Sequence, residues 1–179
     1  MKRVLALVGV VVLVMSLVPM TVLANHSGTG TVSATVTPAF LSVTVTEQFV
    51  GYGALDLGVV NAKPTGQTGS TNALAAFQVN NNGTVTANWA ILGIGSTAWA
   101  IAEIAGTDTY AQRFDITADG SGNVTTGTSL HTSASASSLA SAVTTGNSVF
   151  VWLQLDMPTH SGATAEQSLP ITVTATASS

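Results

Sequence analysis

Residues 31–46 read TVSATVTPAFLSVTVT. Apolar and polar side chains alternate at every second position on both sides of Pro38, first over 31–37 and again over 41–46. Because successive side chains of a β-strand point to opposite faces, each run predicts a strand with one buried face. Pro38 has no backbone N–H for a sheet ladder, so it separates the two predicted strands.

The same period of two continues along the rest of the chain, with turn signals such as Asn82-Gly83 between the strands. The sequence therefore predicts one all-β domain over 31–179, an antiparallel β-sandwich of about 8–10 strands, immunoglobulin-like or jelly-roll. The stretch 133–143 (SASASSLASAV) is predicted to be a loop, with a short helix or an irregular edge strand as the alternatives. The further predicted strands are 55–60, 75–80, 85–92, 98–101, 110–117, 149–157 and 167–177.

The first 24 residues have the pattern of a secretory signal peptide. Lys2-Arg3 precedes an apolar run, Pro19 interrupts it, and the exit Val22-Leu23-Ala24 has the small side chains that a signal peptidase accommodates. We expect cleavage after Ala24, a flexible Gly/Ser-containing leader over 25–30, and a secreted, extracellular or cell-surface protein. No membrane association is expected once the signal peptide is removed.

Charge restricts the class of partner. Only 7% of the residues are charged, and beyond residue 24 two fixed cations, Lys63 and Arg113, stand against eight acidic residues. A surface with this negative balance repels phosphate backbones, so nucleic acid is not an expected partner. The chain has no cysteine, which excludes disulfides and thiol chemistry.

The sequence offers little support for catalysis. Its three histidines, His26, His131 and His160, lie in loop-like sequence and form no H-E-x-x-H or other short metal-ligand spacing. No G-x-S-x-G nucleophile elbow occurs, and nothing in the sequence brings two of the carboxylates together for glycoside hydrolysis. We therefore predict a protein that is not an enzyme and has no cofactor.

One segment partly resembles a calcium loop. Asp119, Ser121 and Asn123 place oxygen side chains at positions one, three and five. Val124 then stands where such a loop needs glycine, and Leu130 stands where it needs the bidentate glutamate. A hairpin turn is the favoured interpretation, and no metal is expected.

The tryptophans have two interpretations. Trp89 and Trp152 lie within apolar strand runs and are predicted to be core residues, with Trp152 between the two sheets. The alternative is a sugar-stacking platform that also includes Trp99. N-x-S/T sequons, which can carry glycans, occur at Asn25, Asn82 and Asn123.

Six stretches have strand and turn patterns that carry a resemblance to known proteins: 42–45, 52–58, 80–83, 106–114, 152–159 and 171–175. They resemble secreted prokaryotic β-sandwich proteins of cell surfaces and matrices, of the WxL-like kind and, at greater distance, of the TasA/camelysin fibre kind. A strict W-x-L pair is absent, because Leu153 follows Trp152 directly, and a zinc motif is also absent. Neither peptidoglycan binding nor metal-dependent proteolysis is therefore carried over. The resemblance implies an extracellular, non-enzymatic surface or matrix component.

These observations predict a structural component of a cell surface, fibre or biofilm matrix. The partners expected are further copies of the chain or other envelope proteins. The uncharged strand at 31–37, with Val32, Ala34 and Val36 on one face, is favoured as the first strand of its own sandwich. Its alternative is an assembly strand, added to the sheet edge of a neighbour. The second candidate function is an extracellular module that binds carbohydrate or cell-wall polymer, and the third is a hydrolase.

Overall fold

Nine β-strands form two sheets in the computed structural model, which describes residues 39–47, 50–124, 127–130 and 136–178. Within these residues there is one 3₁₀ turn, Asn72–Leu74, and no α-helix. The strands are β1 (Val43–Glu47), β2 (Phe77–Asn81), β3 (Ala87–Gly93), β4 (Ala100–Ala102), β5 (Thr109–Asp115), β6 (Thr128–Ser129), β7 (Ser137–Val143), β8 (Ser148–Asp156) and β9 (Ile171–Ala177).

The two sheets differ in width. The wide sheet has the order β1-β2-β8-β5-β4, with β6 also paired to β5, and the narrow sheet has the order β7-β3-β9. All pairings are antiparallel except that of β4 with β5. The predicted all-β sandwich is confirmed as mostly antiparallel, and the nine strands among the described residues lie within the predicted range.

The core lies between the sheets because the inward positions of the strands are apolar at every second residue. Along β3, buried and half-buried residues alternate strictly from Ala87 to Gly93. Trp89 and Ile91 from this strand pack with Val79 of β2 and with Val151 and Leu153 of β8. Burial of this apolar surface is the main term that stabilises the two-sheet arrangement.

The prediction of a loop at 133–143 is wrong for its second half, which forms β7 along the edge of the narrow sheet. Leu139 and Val143 are buried there. The serines and alanines between them have too little polarity contrast to show a period of two. The period is also broken by Ala142, whose φ of 52° places it in the left-handed region.

The strand predicted at 55–60 is also absent. Gly58 and Asn61 have positive φ values of 75° and 58°, so the backbone turns repeatedly and cannot form a regular ladder. The segment nevertheless lies beside β8. The N–H of Met157 donates to the carbonyl of Val59, and Ala62 exchanges two bonds with Leu155.

Trp152 is buried as predicted, at 2% exposure, but its position between the sheets is wrong. Its neighbours Val151 and Leu153 point into the core, so Trp152 points to the outer face of the wide sheet. There it packs against Ala75 and Val124 beneath loops. The signal peptide, the leader 25–30, the predicted strand 31–37 with Val32, Ala34 and Val36, and His26 and His131 lie outside the described residues.

Candidate functional site

The described carboxylates and histidine do not converge on a metal site. Within residues 39–47, 50–124, 127–130 and 136–178, no three such side chains are grouped closely enough to hold an ion. Asp156 pairs instead with Arg113 at 3.2 Å, and it accepts the N–H of Asn61 at 2.7 Å. His160 is exposed, next to Thr159, in an isolated β-bridge with Thr107. Asp156 thus links β8 to β5 and holds the loop at Asn61 against the wide sheet.

The partial calcium loop is closed by its own hydrogen bonds. One oxygen of Asp119 accepts the N–H groups of Ser121 and Asn123 at 2.8 and 2.9 Å, and the other accepts the Asn123 amide at 3.1 Å. The bonds from Asn123 and then Ser121 hold the pKa of the Asp119 carboxyl below its usual range. Lys63 donates to the carbonyl of Ser121 at 2.6 Å. Both carboxylate oxygens of Asp119 are thus engaged by donors of the protein, as in a structural turn.

This turn covers the outer face of the wide sheet. Gly122 has a φ of 77°, and a Cβ added to it would lie 2.9 Å from the N of Gly69, so the close approach of the two loops requires glycine. Val124 then packs on Trp152, whose indole Nε1 donates to the carbonyl of Gly69 at 3.0 Å. Asp119, Ser121 and Asn123 therefore position a lid of two loops over Trp152.

The tryptophans offer no platform for sugars. Trp89 and Trp152 are each 2% exposed, and Trp99 is 8% exposed. Trp99 also donates its indole N–H to Ser161. A stacking platform needs an open ring face, so these side chains serve packing in this conformation.

The two sequons in the described residues differ in accessibility. Asn82 is exposed in the turn after β2, where its amide donates to Thr44 at 2.9 Å. The amide of Asn123 is engaged by Asp119. Asn25 lies outside the described residues.

The sheet edges are the part of the surface with unused bonding capacity. β7 is an irregular edge, with register shifts against β3 and the left-handed Ala142, and β4 has only three residues. Bulges and short strands are the usual protection of an edge against pairing with another chain. β1 has five residues and includes Glu47.

β9 has none of these protective features. It pairs with β3 at all seven positions without a register shift, and it contains neither charge nor proline. No described strand pairs with its other side. A long, regular, uncharged edge is a template for strand addition. The sequence ITVTATA shows a regular, uncharged strand, but its alternation alone does not tell whether that strand lies at the edge of a sheet.

The register shows which backbone groups face outward. Ser178 donates to Thr86, and Ile94 donates to Pro170, so the even-numbered residues of β9 bond to β3. The N–H and C=O groups of Ile171, Val173, Ala175 and Ala177 therefore point away from β3. We call these eight groups the β9 edge.

The sandwich is also open beside the β9 edge, where β1 is the neighbouring strand of the wide sheet. Val45 of β1 is opposite Val79 and shares its core-facing side. Val79 is fully buried, whereas Val45 is 48% exposed. The narrow sheet therefore ends before it covers β1.

Comparisons with protein-family models, with curated proteins and with solved structures found no match to the chain. The resemblance to WxL-like and TasA/camelysin proteins thus stays a prediction. In the part of the chain that the structure describes, no helix has the length and apolar character that a bilayer crossing requires.

Proposed function

We propose that the chain is a secreted, non-enzymatic structural component of a cell surface, fibre or biofilm matrix, and that it self-associates through its strand edges. The observation that carries this proposal is the β9 edge. It presents seven regular residues without charge, proline or bulge. Natural sandwiches usually block such an edge, so its retention favours a role in assembly.

Composition supports the same function. A protein with 7% charged residues has few of the repulsive contacts that keep sheet edges of different molecules apart. Secretion, predicted from residues 1–24, places the chain where such assemblies form. The strand predicted at 31–37 is a second uncharged segment that is suited to contacts between molecules.

Carbohydrate binding is the weaker candidate. It depended on the tryptophans, and all three are buried in the described structure. Binding of a polysaccharide would therefore need another surface. The two functions predict different behaviour of the purified protein, because only assembly depends on the strand edges.

A pair of proline variants tests the proposal in the protein recovered from the secretion medium. Ala175→Pro removes one outward N–H of the β9 edge and leaves the bonds to β3 in place. Val45→Pro is the matched control, since Ser42 bonds to Asn82 and the N–H of Val45 therefore points outward from β1. Sedimentation velocity and negative-stain microscopy measure assembly, and thermal unfolding verifies the fold.

We expect wild type and Val45→Pro to assemble alike, and Ala175→Pro to remain folded and to sediment as smaller species than wild type. A wild-type protein that stays monomeric at every concentration would overturn the proposed function. A folded Ala175→Pro variant that assembles like wild type would exclude the β9 edge from the assembly.

A further inference from the structure

We propose that the partner of the β9 edge is the β9 edge of a second copy, paired antiparallel about a two-fold axis at Thr174. This inference rests on the proposed function, because it names the contact through which the molecules associate. The result is a continuous six-stranded sheet formed from the narrow sheets of the two copies. A two-fold pairing of this kind uses the same surface on both molecules.

The hydrogen-bond pattern selects the register. In an antiparallel ladder, directly opposed residues that bond must both present outward N–H and C=O groups. On β9 these are the odd-numbered residues. With Thr174 on the axis, Ile171 is opposite the partner's Ala177 and Val173 is opposite the partner's Ala175. This arrangement forms about eight bonds, and an axis at Val173 or Ala175 forms about six.

Side-chain size agrees with the same register. The inward side chains are large in the first half of β9, at Ile171 and Val173, and small in the second half, at Ala175 and Ala177. Antiparallel pairing places each large side chain beside a small one. Ile171, Val173 and Ala175 already pack partly on the core, so the pairing extends the apolar layer without a steric conflict between two branched residues.

The outward face and the uncovered strand are also compatible with a second copy. Thr172, Thr174 and Thr176 are exposed on the outer face, and they would meet only threonines of the partner. No charge opposes the contact. A strand beside β9 extends the narrow sheet on the side where Val45 is 48% exposed, so the contact shelters apolar surface.

Single cysteines test the register directly, because the native chain contains none. Thr174→Cys places two thiols opposite each other in a non-bonded antiparallel pair, with Cα atoms about 4.5 Å apart. That separation suits a disulfide. Thr172→Cys is the matched control on the same exposed face. Its two copies would lie about 14 Å apart in the proposed register, since they are offset by four residues.

Mild oxidation of the full secreted protein, followed by non-reducing electrophoresis and intact mass, is the measurement. We expect Thr174→Cys to form covalent dimers and Thr172→Cys to stay largely monomeric under the same conditions. Equal cross-linking of the two variants would overturn the proposed register.

A charge exchange supplies a second, independent test. Thr174→Lys and Thr174→Glu each place like charges opposite each other across the axis, so we expect association of each variant alone to weaken by about fivefold. A mixture of the two variants should associate at least as well as wild type. Thr172→Lys faces Thr176 of the partner and should have a smaller effect. If the mixture associates no better than either variant alone, the two-fold pairing is wrong.

The outcomes separate this inference from the proposed function. If Ala175→Pro reduces assembly while Thr174→Cys cross-links no better than Thr172→Cys, the proposed function is retained. The β9 strand of a second copy is then rejected as the partner. Absence of any assembly by wild type would reject both.

Discussion

Gln67 shows how one side chain can replace a stretch of strand. β2 pairs with β8 as far as Val151, and Ala62 pairs with Leu155, which leaves Leu153 between them on this side of β8. The amide of Gln67 fills the position, because its Nε2 donates to the Leu153 carbonyl at 2.8 Å and its Oε1 accepts the Leu153 N–H at 2.9 Å. The side chain thus makes the two bonds of a strand residue and satisfies a buried backbone.

Removal of this amide should destabilise the domain strongly. Gln67→Ala leaves the N–H and C=O of Leu153 buried without partners, at a cost of about 2–4 kcal/mol in the free energy of unfolding. Urea denaturation measures the loss. Gln78→Ala is the control, since Gln78 is half-buried and its amide donates to the side chain of Asn80. Comparable losses in the two variants would contradict the role of Gln67.

Trp152 carries the small apolar cluster on the outer face. Trp152→Ala should cost about 3–5 kcal/mol, because it leaves a cavity beneath the two loops and removes the bond to Gly69. Trp152→Phe retains an aromatic ring and should cost less. Thermal unfolding compares the variants. An unchanged melting temperature together with lost polysaccharide binding would favour the carbohydrate-binding function instead.

At the scale of elements, the sequence predicts strands well where apolar and polar residues contrast. β1, β2, β3, β5, β8 and β9 all lie within or beside predicted strands. It misses β7, whose serines and alanines carry little contrast, and it assigns a strand to 55–60, where left-handed residues turn the chain. Nor could it assign Trp152 to the outer face, because alternation defines two faces without telling which loops cover them.

The irregular edge of β7 predicts that glycine has opposite effects on stability at two nearby residues. Ala142 has a φ of 52°, so Ala142→Gly relieves strain and should stabilise the domain by about 0.5–1 kcal/mol. Ala140 is paired with Trp89 and does not have a positive φ, so Ala140→Gly should destabilise the domain by a similar amount. Chemical denaturation measures both. If both variants change the free energy of unfolding in the same direction, the interpretation of β7 as a bulged edge is contradicted.

The turn at 119–123 predicts how the stability of the domain depends on pH. Hydrogen bonds from Asn123 and Ser121 lower the pKa of Asp119 in the folded state. Its contribution to stability is therefore present above about pH 4 and is lost as the pH falls through the folded-state pKa. We expect Asp119→Asn to flatten the acid side of the melting-temperature profile. If the melting temperature of Asp119→Asn falls with acid as that of wild type does, the Asp119 carboxylate does not have this stabilising role.

At the scale of the whole molecule, a two-fold contact alone cannot build a fibre. Pairing of two β9 edges uses the same surface on both copies and therefore closes after two molecules. Growth beyond the pair needs a second, different contact. The strand predicted at 31–37, with Val32, Ala34 and Val36 on one face, is the candidate for that contact.

Deletion of residues 25–37 from the secreted form should therefore separate pairing from growth. The truncated protein retains every strand of the two described sheets, so we expect it to unfold cooperatively and to form pairs that cross-link through Thr174→Cys. It should form no fibres, because the second contact is missing. Deletion of 25–30 alone is the control and should leave growth intact. Circular dichroism, sedimentation and microscopy compare the forms. Fibres from the shorter chain would exclude donation by 31–37, whereas loss of the fold would identify 31–37 as a strand of its own sandwich, since the Val32, Ala34 and Val36 face would then be part of the core.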